Sequence, residues 1–114
     1  MDIALPYLSV EENAVLSAIK VALAKLLHDQ SYRLILFGSK ARGDFDKTSD
    51  LDLAIIVDDL DRSMKNGIMM AVADVELEHL YYVSTLILST AEFNHLRARE
   101  RRIAREIESE GIEI

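Results

Sequence analysis

The chain has no cysteine, no tryptophan, a single proline and four glycines among 114 residues. The missing cysteine removes disulfide frameworks and thiolate zinc sites from consideration. Nothing apolar approaches the length of a membrane span, and Met1-Asp2 is followed by no basic n-region, so no secretory signal is read and a cytoplasmic, membrane-free location is expected. Basic residues are also scarce. Thirteen Lys and Arg against twenty Asp and Glu give a formal net charge of −7, which argues against general nucleic-acid binding, although charge alone leaves a local basic patch open. There is no repeat, low-complexity tract or Pro/Gly/Ser linker, and the one proline, Pro6, sits in a leader expected to fray. Half the residues are apolar and 29% are charged, the balance of a folded globular chain, and the length predicts one domain over residues 1–114.

What the chain does have is concentrated between Phe37 and Leu53. The apolar run Leu34-Ile35-Leu36-Phe37 stops at Gly38-Ser39, as a buried strand does when it empties into a tight turn. Gly38 can take backbone angles other residues avoid and lets a ligand approach the main chain. Ser39 offers a hydroxyl and could cap a short helix over Lys40 to Arg42, with N–H groups facing an anion. After ten residues, Asp50 and Asp52 head the strand Leu51 to Val57. Their spacing of two puts both side chains on one face, with Cα atoms about 6.5–7 Å apart. Two carboxylates so placed can converge on a hard cation. Mg²⁺ takes oxygen ligands and usually keeps waters and substrate phosphates, so acids opposite a phosphate-binding turn suit a Mg²⁺–nucleotide site. A lone Gly-Ser turn or a lone Asp-x-Asp strand end is ordinary; the pair at this spacing is far more specific.

The stretch Phe37-Gly-Ser-x-Ala-Arg-Gly-Asp-x-x-x-x-Ser-Asp-Leu-Asp-Leu53 resembles, nearly residue for residue, the minimal (MNT) branch of the DNA polymerase β-type nucleotidyltransferase superfamily. The resemblance implies an α/β (α+β) nucleotidyltransferase fold: a small mixed sheet of three to four strands packed by three to four helices. It also implies that Gly38 and Ser39 grip the triphosphate of ATP, that Asp50 and Asp52 hold Mg²⁺ as the catalytic pair, and that a third carboxylate on a later strand completes the site. Similar proteins act beside a HEPN-domain partner, as antitoxins that attach AMP to a tyrosine of the toxin. Antibiotic-modifying and tRNA-end-building relatives carry further acceptor-recognition domains, which favours a protein acceptor here.

If the turn and the acids serve one ligand, the first two strands run antiparallel and their link is an active-site loop. Within it Lys40 and Arg42 are candidate phosphate contacts. Arg42 is the better one, its guanidinium fork matching phosphate oxygens, with a salt bridge to a loop aspartate as the equal alternative. Asp44 and Asp46 are expected to hold the loop or face solvent.

The flanking elements read as scaffold. Ser9-Val10-Glu11-Glu12 is a capping box opening a helix to about His28, with Val15, Ile19, Ala22 or Leu23, and Leu26 facing inward. A second helix starts near Asp61 or Ser63 and runs to about Leu80, with Met64, Ile68, Val72, Val75 and Leu80 or His79 as its inner stripe. The doubly apolar strand Leu53 to Val57 belongs mid-sheet, and a right-handed crossover sets the third strand, Tyr82 to Leu88, parallel to it. Aligned onto the corresponding strand of the family it resembles, Val83 to Leu88 puts Ser84 where that family carries its third acid. A serine neither ligates Mg²⁺ strongly nor accepts a proton at neutral pH. Glu76, Glu78 and His79 are peripheral stand-ins. A second capping box, Ser89 to Glu92, opens one last helix with Phe93, Leu96, Ile103 and Ile107 inward and an ion-paired outer side rich in arginine and glutamate, in preference to a docking patch. Gly111 ends it before a short edge strand at Ile112 to Ile114.

The reading is therefore an ATP–Mg²⁺-binding nucleotidyltransferase that passes AMP to a hydroxyl on a protein partner. The alternative is a catalytically impaired module that neutralises its partner by contact. Oligomeric state is left open, a homo-oligomer included.

Overall fold

Ser9 opens the first helix as its composition requires: its hydroxyl accepts the Glu12 N–H at 3.0 Å, and the Glu12 carboxylate accepts the Ser9 N–H at 2.8 Å. In the computed structural model residues 8–38, 40–42 and 50–114 are described, so Pro6, Ser39, Asp44 and Asp46 lie outside the described residues. The elements are α1 (Val10–Leu26), β1 (Tyr32–Phe37), β2 (Leu51–Val57), α2 (Arg62–His79), β3 (Val83–Ser89), α3 (Thr90–Ala98), α4 (Arg102–Glu110) and β4 (Ile112–Glu113).

The strands form one mixed sheet in the order β3-β2-β1-β4. β1 runs antiparallel to β2 and to β4, while β2 and β3 are parallel, as the crossover through α2 demands. Alternation along the strands then builds two cores. Leu34, Leu36, Leu51, Leu53, Ile55, Val57, Val83 and Ile87 face α1 and α2, whose Val15, Leu16, Ile19, Leu23, Ile68, Val72 and Val75 cover them. Ile35, Phe37, Ala54 and Ile56 face the other way, onto Phe93 of α3 and Ala104 and Ile107 of α4. β1 and β2 are thus buried on both sides, and each fully buried Leu or Ile contributes about 1.5–3 kcal/mol.

Three expectations are corrected. Leu26 is 42% exposed and Leu27 takes the inner position at 1%. Helical spacing puts both near the boundary of the apolar stripe, and the turn that ends α1 swings the second one in. Leu80 does not face the core: it is the left-handed C-cap of α2 (φ 50) and 86% exposed. The last helix is two. Arg99 and Glu100 close α3 with Glu100 at φ 52, and the Arg101 N–H reaches back to the Leu96 carbonyl at 3.0 Å. A straight helix of about twenty residues would be about 30 Å long, whereas a six- or seven-residue strand spans about 20–24 Å. The break lets Phe93 and Ile107 both reach the same sheet face.

Candidate functional site

The antiparallel register pairs Phe37 with Asp52, so the end of β1 and the head of β2 meet at one edge of the sheet. Gly38 follows with φ +76, and its carbonyl accepts the N–H groups of Ala41 (3.1 Å) and Arg42 (3.3 Å). Those two amides point back into the turn and not outward to an anion. Directly across lies Asp52: a Cβ on Gly38 would sit 2.4 Å from its Oδ2. The positive φ and this close approach independently require glycine.

Asp52 shares its sheet face with Ala54 and Ile56, the face that α3 and α4 cover. Burial and the charge of Asp50, which stands just ahead of β2, push its carboxyl above the usual range; the charge of Glu106 adds to this. A hydrogen bond from Ser84 and the charge of Arg42 oppose it. Ser84 is the register partner of Asp52 across β2 and β3, where the sequence places it. The site therefore carries an excess of negative charge focused on a half-buried carboxylate, an arrangement that a divalent cation would relieve. Among the described residues no three His, Cys, Asp or Glu side chains cluster as a metal site. Of the described residues, Asp50 and Asp52 would hold a Mg²⁺ here, and it would take its remaining ligands from phosphate and water, as Mg²⁺ commonly does.

The basic residues are engaged elsewhere. The Lys40 Nζ does not face the acids: it is nearly buried in an ion pair with Glu12 at 2.8 Å, and the Tyr81 hydroxyl donates to the same Glu12 oxygen at 2.8 Å. Arg42 pairs with Glu110 of α4 at 2.8 Å, while the loop aspartates Asp44 and Asp46 lie outside the described residues. The stand-ins for a third acid do not gather at Asp52. Glu76 accepts the Val83 N–H at 2.9 Å and belongs to α2, which packs on the opposite face, together with Glu78 and His79. Besides Asp50, the acid whose charge acts on Asp52 is Glu106 of α4, also paired with Arg102 at 3.3 Å. Sequence reading missed it, because only the break before Arg102 brings α4 across this face.

A curated protein of Methanocaldococcus jannaschii named "putative protein adenylyltransferase" is 28% identical over 101 residues, covering 88% of this chain and 95% of its own. A solved structure of a "putative nucleotidyltransferase" from Sulfolobus solfataricus aligns over 96% of this chain and 90% of its own, with a TM-score of 0.47 and 16% identity. The nucleotidyltransferase domain family matches residues 16–113. With that match spanning β1, the Gly38 turn, both aspartates and every later element, the chain belongs to the nucleotidyltransferase domain family.

Proposed function

We propose that the protein binds ATP–Mg²⁺ at the Gly38–Asp52 edge and transfers AMP to a hydroxyl group of a protein partner. The observation that carries this reading is the approach of the Asp52 carboxylate to Gly38, with Asp50 beside it. Gly38 presents bare backbone to the triphosphate, with Ser39 added by the family pattern alone. Asp50 and Asp52 are the ligands for Mg²⁺, which when bound neutralises charge developing on the phosphates. Arg42, whose charge already acts on Asp52, can turn from Glu110 towards the polyphosphate. The acceptor oxygen attacks the α-phosphorus in line, the bond to the bridging oxygen breaks, and pyrophosphate leaves. The name of the Methanocaldococcus relative supports a protein acceptor. A HEPN-domain toxin, with this chain as antitoxin, is the partner that the motif resemblance suggests.

A second reading rests on Ser84. With a hydroxyl where the family has an acid, the acceptor proton has no obvious base on β3, and a nucleotide-binding module that restrains its partner by contact needs none. Incubating the protein with labelled ATP, Mg²⁺ and the product of its neighbouring gene, as wild type and as Asp52→Asn, separates the two. Label on the partner with wild type only supports transfer. A complex that forms in both cases without label overturns it.

A further inference from the structure

Three segments that are remote in the chain meet at the carboxylate of Glu12. It stands in the first turn of α1, Lys40 lies two residues past Gly38, and Tyr81 lies in the connection from α2 to β3. Every oxygen of Glu12 is used: Oε1 by the Ser9 N–H at 2.8 Å, and Oε2 by Lys40 and Tyr81, both at 2.8 Å. The side chains of Lys40 and Glu12 are 11% and 8% exposed, and among the described residues no buried side-chain polar atom lacks a partner. Ala41 and Tyr81 pack on the α1/α2 core, so the network backs the turn from the sheet face opposite Asp52. The charge of Asp50 reaches Tyr81, which places the network at the same end of the sheet as the acids.

A buried ion pair adds little stability over apolar side chains of the same volume, because both charges must be stripped of water. What it does supply is direction, since the Lys40 stem must bring its ammonium to the same Glu12 oxygen that accepts from the Tyr81 phenol. Among the described residues the turn after β1 is also held by the two backbone bonds to the Gly38 carbonyl and by the Arg42–Glu110 ion pair.

We infer that Lys40, Glu12 and Tyr81 form a positioning network: it fixes the turn after β1 from behind, and Lys40 supports nucleotide binding through that turn and not by touching phosphate. The second half rests on the ATP–Mg²⁺ reading above. It extends the site to residues of α1 and the α2–β3 connection, which lie outside the Gly38 to Asp52 motif.

Amide hydrogen exchange and titration with ATP–Mg²⁺, on wild type, Lys40→Met, Lys40→Arg and Tyr81→Phe, test both halves. In Lys40→Met the Ala41 and Arg42 amides are expected to exchange about tenfold faster while the β1–β2 ladder stays protected. Affinity should fall about fivefold, Tyr81→Phe should move both readouts the same way by less, and Lys40→Arg should restore them in part. Tyr81→Phe, which removes one oxygen and keeps the ring, decides the matter if Lys40→Met does not fold. Unchanged exchange at Ala41 and Arg42, or a rise shared equally by the β1–β2 ladder, overturns the network. Lost affinity with unchanged exchange at the turn makes Lys40 a direct phosphate ligand and also overturns it. If exchange responds but wild type binds no ATP–Mg²⁺, the positioning of the turn stands, and the proposed function and the affinity claim fall together.

Discussion

Ser84 stands directly across from Asp52 in the parallel β2–β3 register, where its hydroxyl works against the rise in the Asp52 carboxyl pKa. The β3 position nearest the paired acids is thus a neutral donor that eases the charge of Asp52. Seen from Asp52, this serine and Arg42 lower the electrostatic strain that burial, Asp50 and Glu106 create.

Restoring an acid there should show what the position faces. Ser84→Asp places another carboxylate beside Asp52 and Asp50, so without divalent cation the variant should be less stable than wild type by about 1–2 kcal/mol. Mg²⁺ should recover most of that loss and raise its melting temperature more than that of wild type, and AMP transfer should increase. Thermal unfolding with and without Mg²⁺ checks the first part. Equal Mg²⁺ responses in the two proteins would mean that β3 does not face the cation.

Gly38→Ala should be damaging for two additive reasons. The added methyl meets Asp52 Oδ2 at 2.4 Å, and φ +76 disfavours any residue with a Cβ. A loss of about 1–3 kcal/mol in urea unfolding is expected, together with at least about a tenfold weaker affinity for ATP–Mg²⁺ as Asp52 is pushed aside. An affinity that survives intact would remove Gly38 from the site.

The parts of this site that could be read from sequence are those carried by local spacing. An apolar run stopping at Gly38 marks the strand end, and the antiparallel pairing of β1 and β2 brings that end to Asp52. The crossover predicts β3 parallel to β2, and the family resemblance singles out Ser84 on it, which pairs with Asp52 in the register. What escaped was set by tertiary contact. Nothing in Ala98 to Arg101 announces a helix break, since Glu100 takes a left-handed conformation without being glycine or asparagine. The inward residues Phe93, Leu96, Ile103 and Ile107 are also in phase for one continuous helix. Lys40 looked like a phosphate ligand because its neighbours on the chain are the turn; its partners, Glu12 and Tyr81, come from other elements.

Stability in acid should report Glu12. Burial alone raises its carboxyl, but hydrogen bonds from Lys40, the Ser9 N–H and Tyr81, with the charge of Lys40, outweigh that and hold it at about 2 against an ordinary 4.5. Because the folded value is the lower one, the carboxylate contributes stability that is fully present above about pH 5 and is lost as pH falls towards 2, up to about 3 kcal/mol. Glu12→Gln should therefore be less stable than wild type at neutral pH by that order, and the gap should close by about pH 2. Urea unfolding at pH 7, 4.5, 3 and 2 measures it, and a gap independent of pH would show that the ionised carboxylate is not what matters.

The interior of α2 and its C-cap make a reciprocal case. Gly67 lies inside the helix, and a Cβ there would meet only the Leu26 methyls at 3.5 Å, an ordinary contact, so nothing in the packing requires glycine. Leu80, at φ 50 and 86% exposed, occupies a position that does favour it. Gly67→Ala and Leu80→Gly should each stabilise the fold by about 0.5–1 kcal/mol, the first by restricting the unfolded chain and improving helix propensity, the second by relieving a left-handed leucine. Their sites are remote in the helix and share no contact, so the double variant should add the two gains, about 1–2 kcal/mol. Neither position touches the Gly38–Asp52 edge, and affinity for ATP–Mg²⁺ should not change. Thermal unfolding of the two single variants and the double reads the outcome, and a destabilised Gly67→Ala would show that α1 and α2 pack more closely at Leu26 than an added methyl allows.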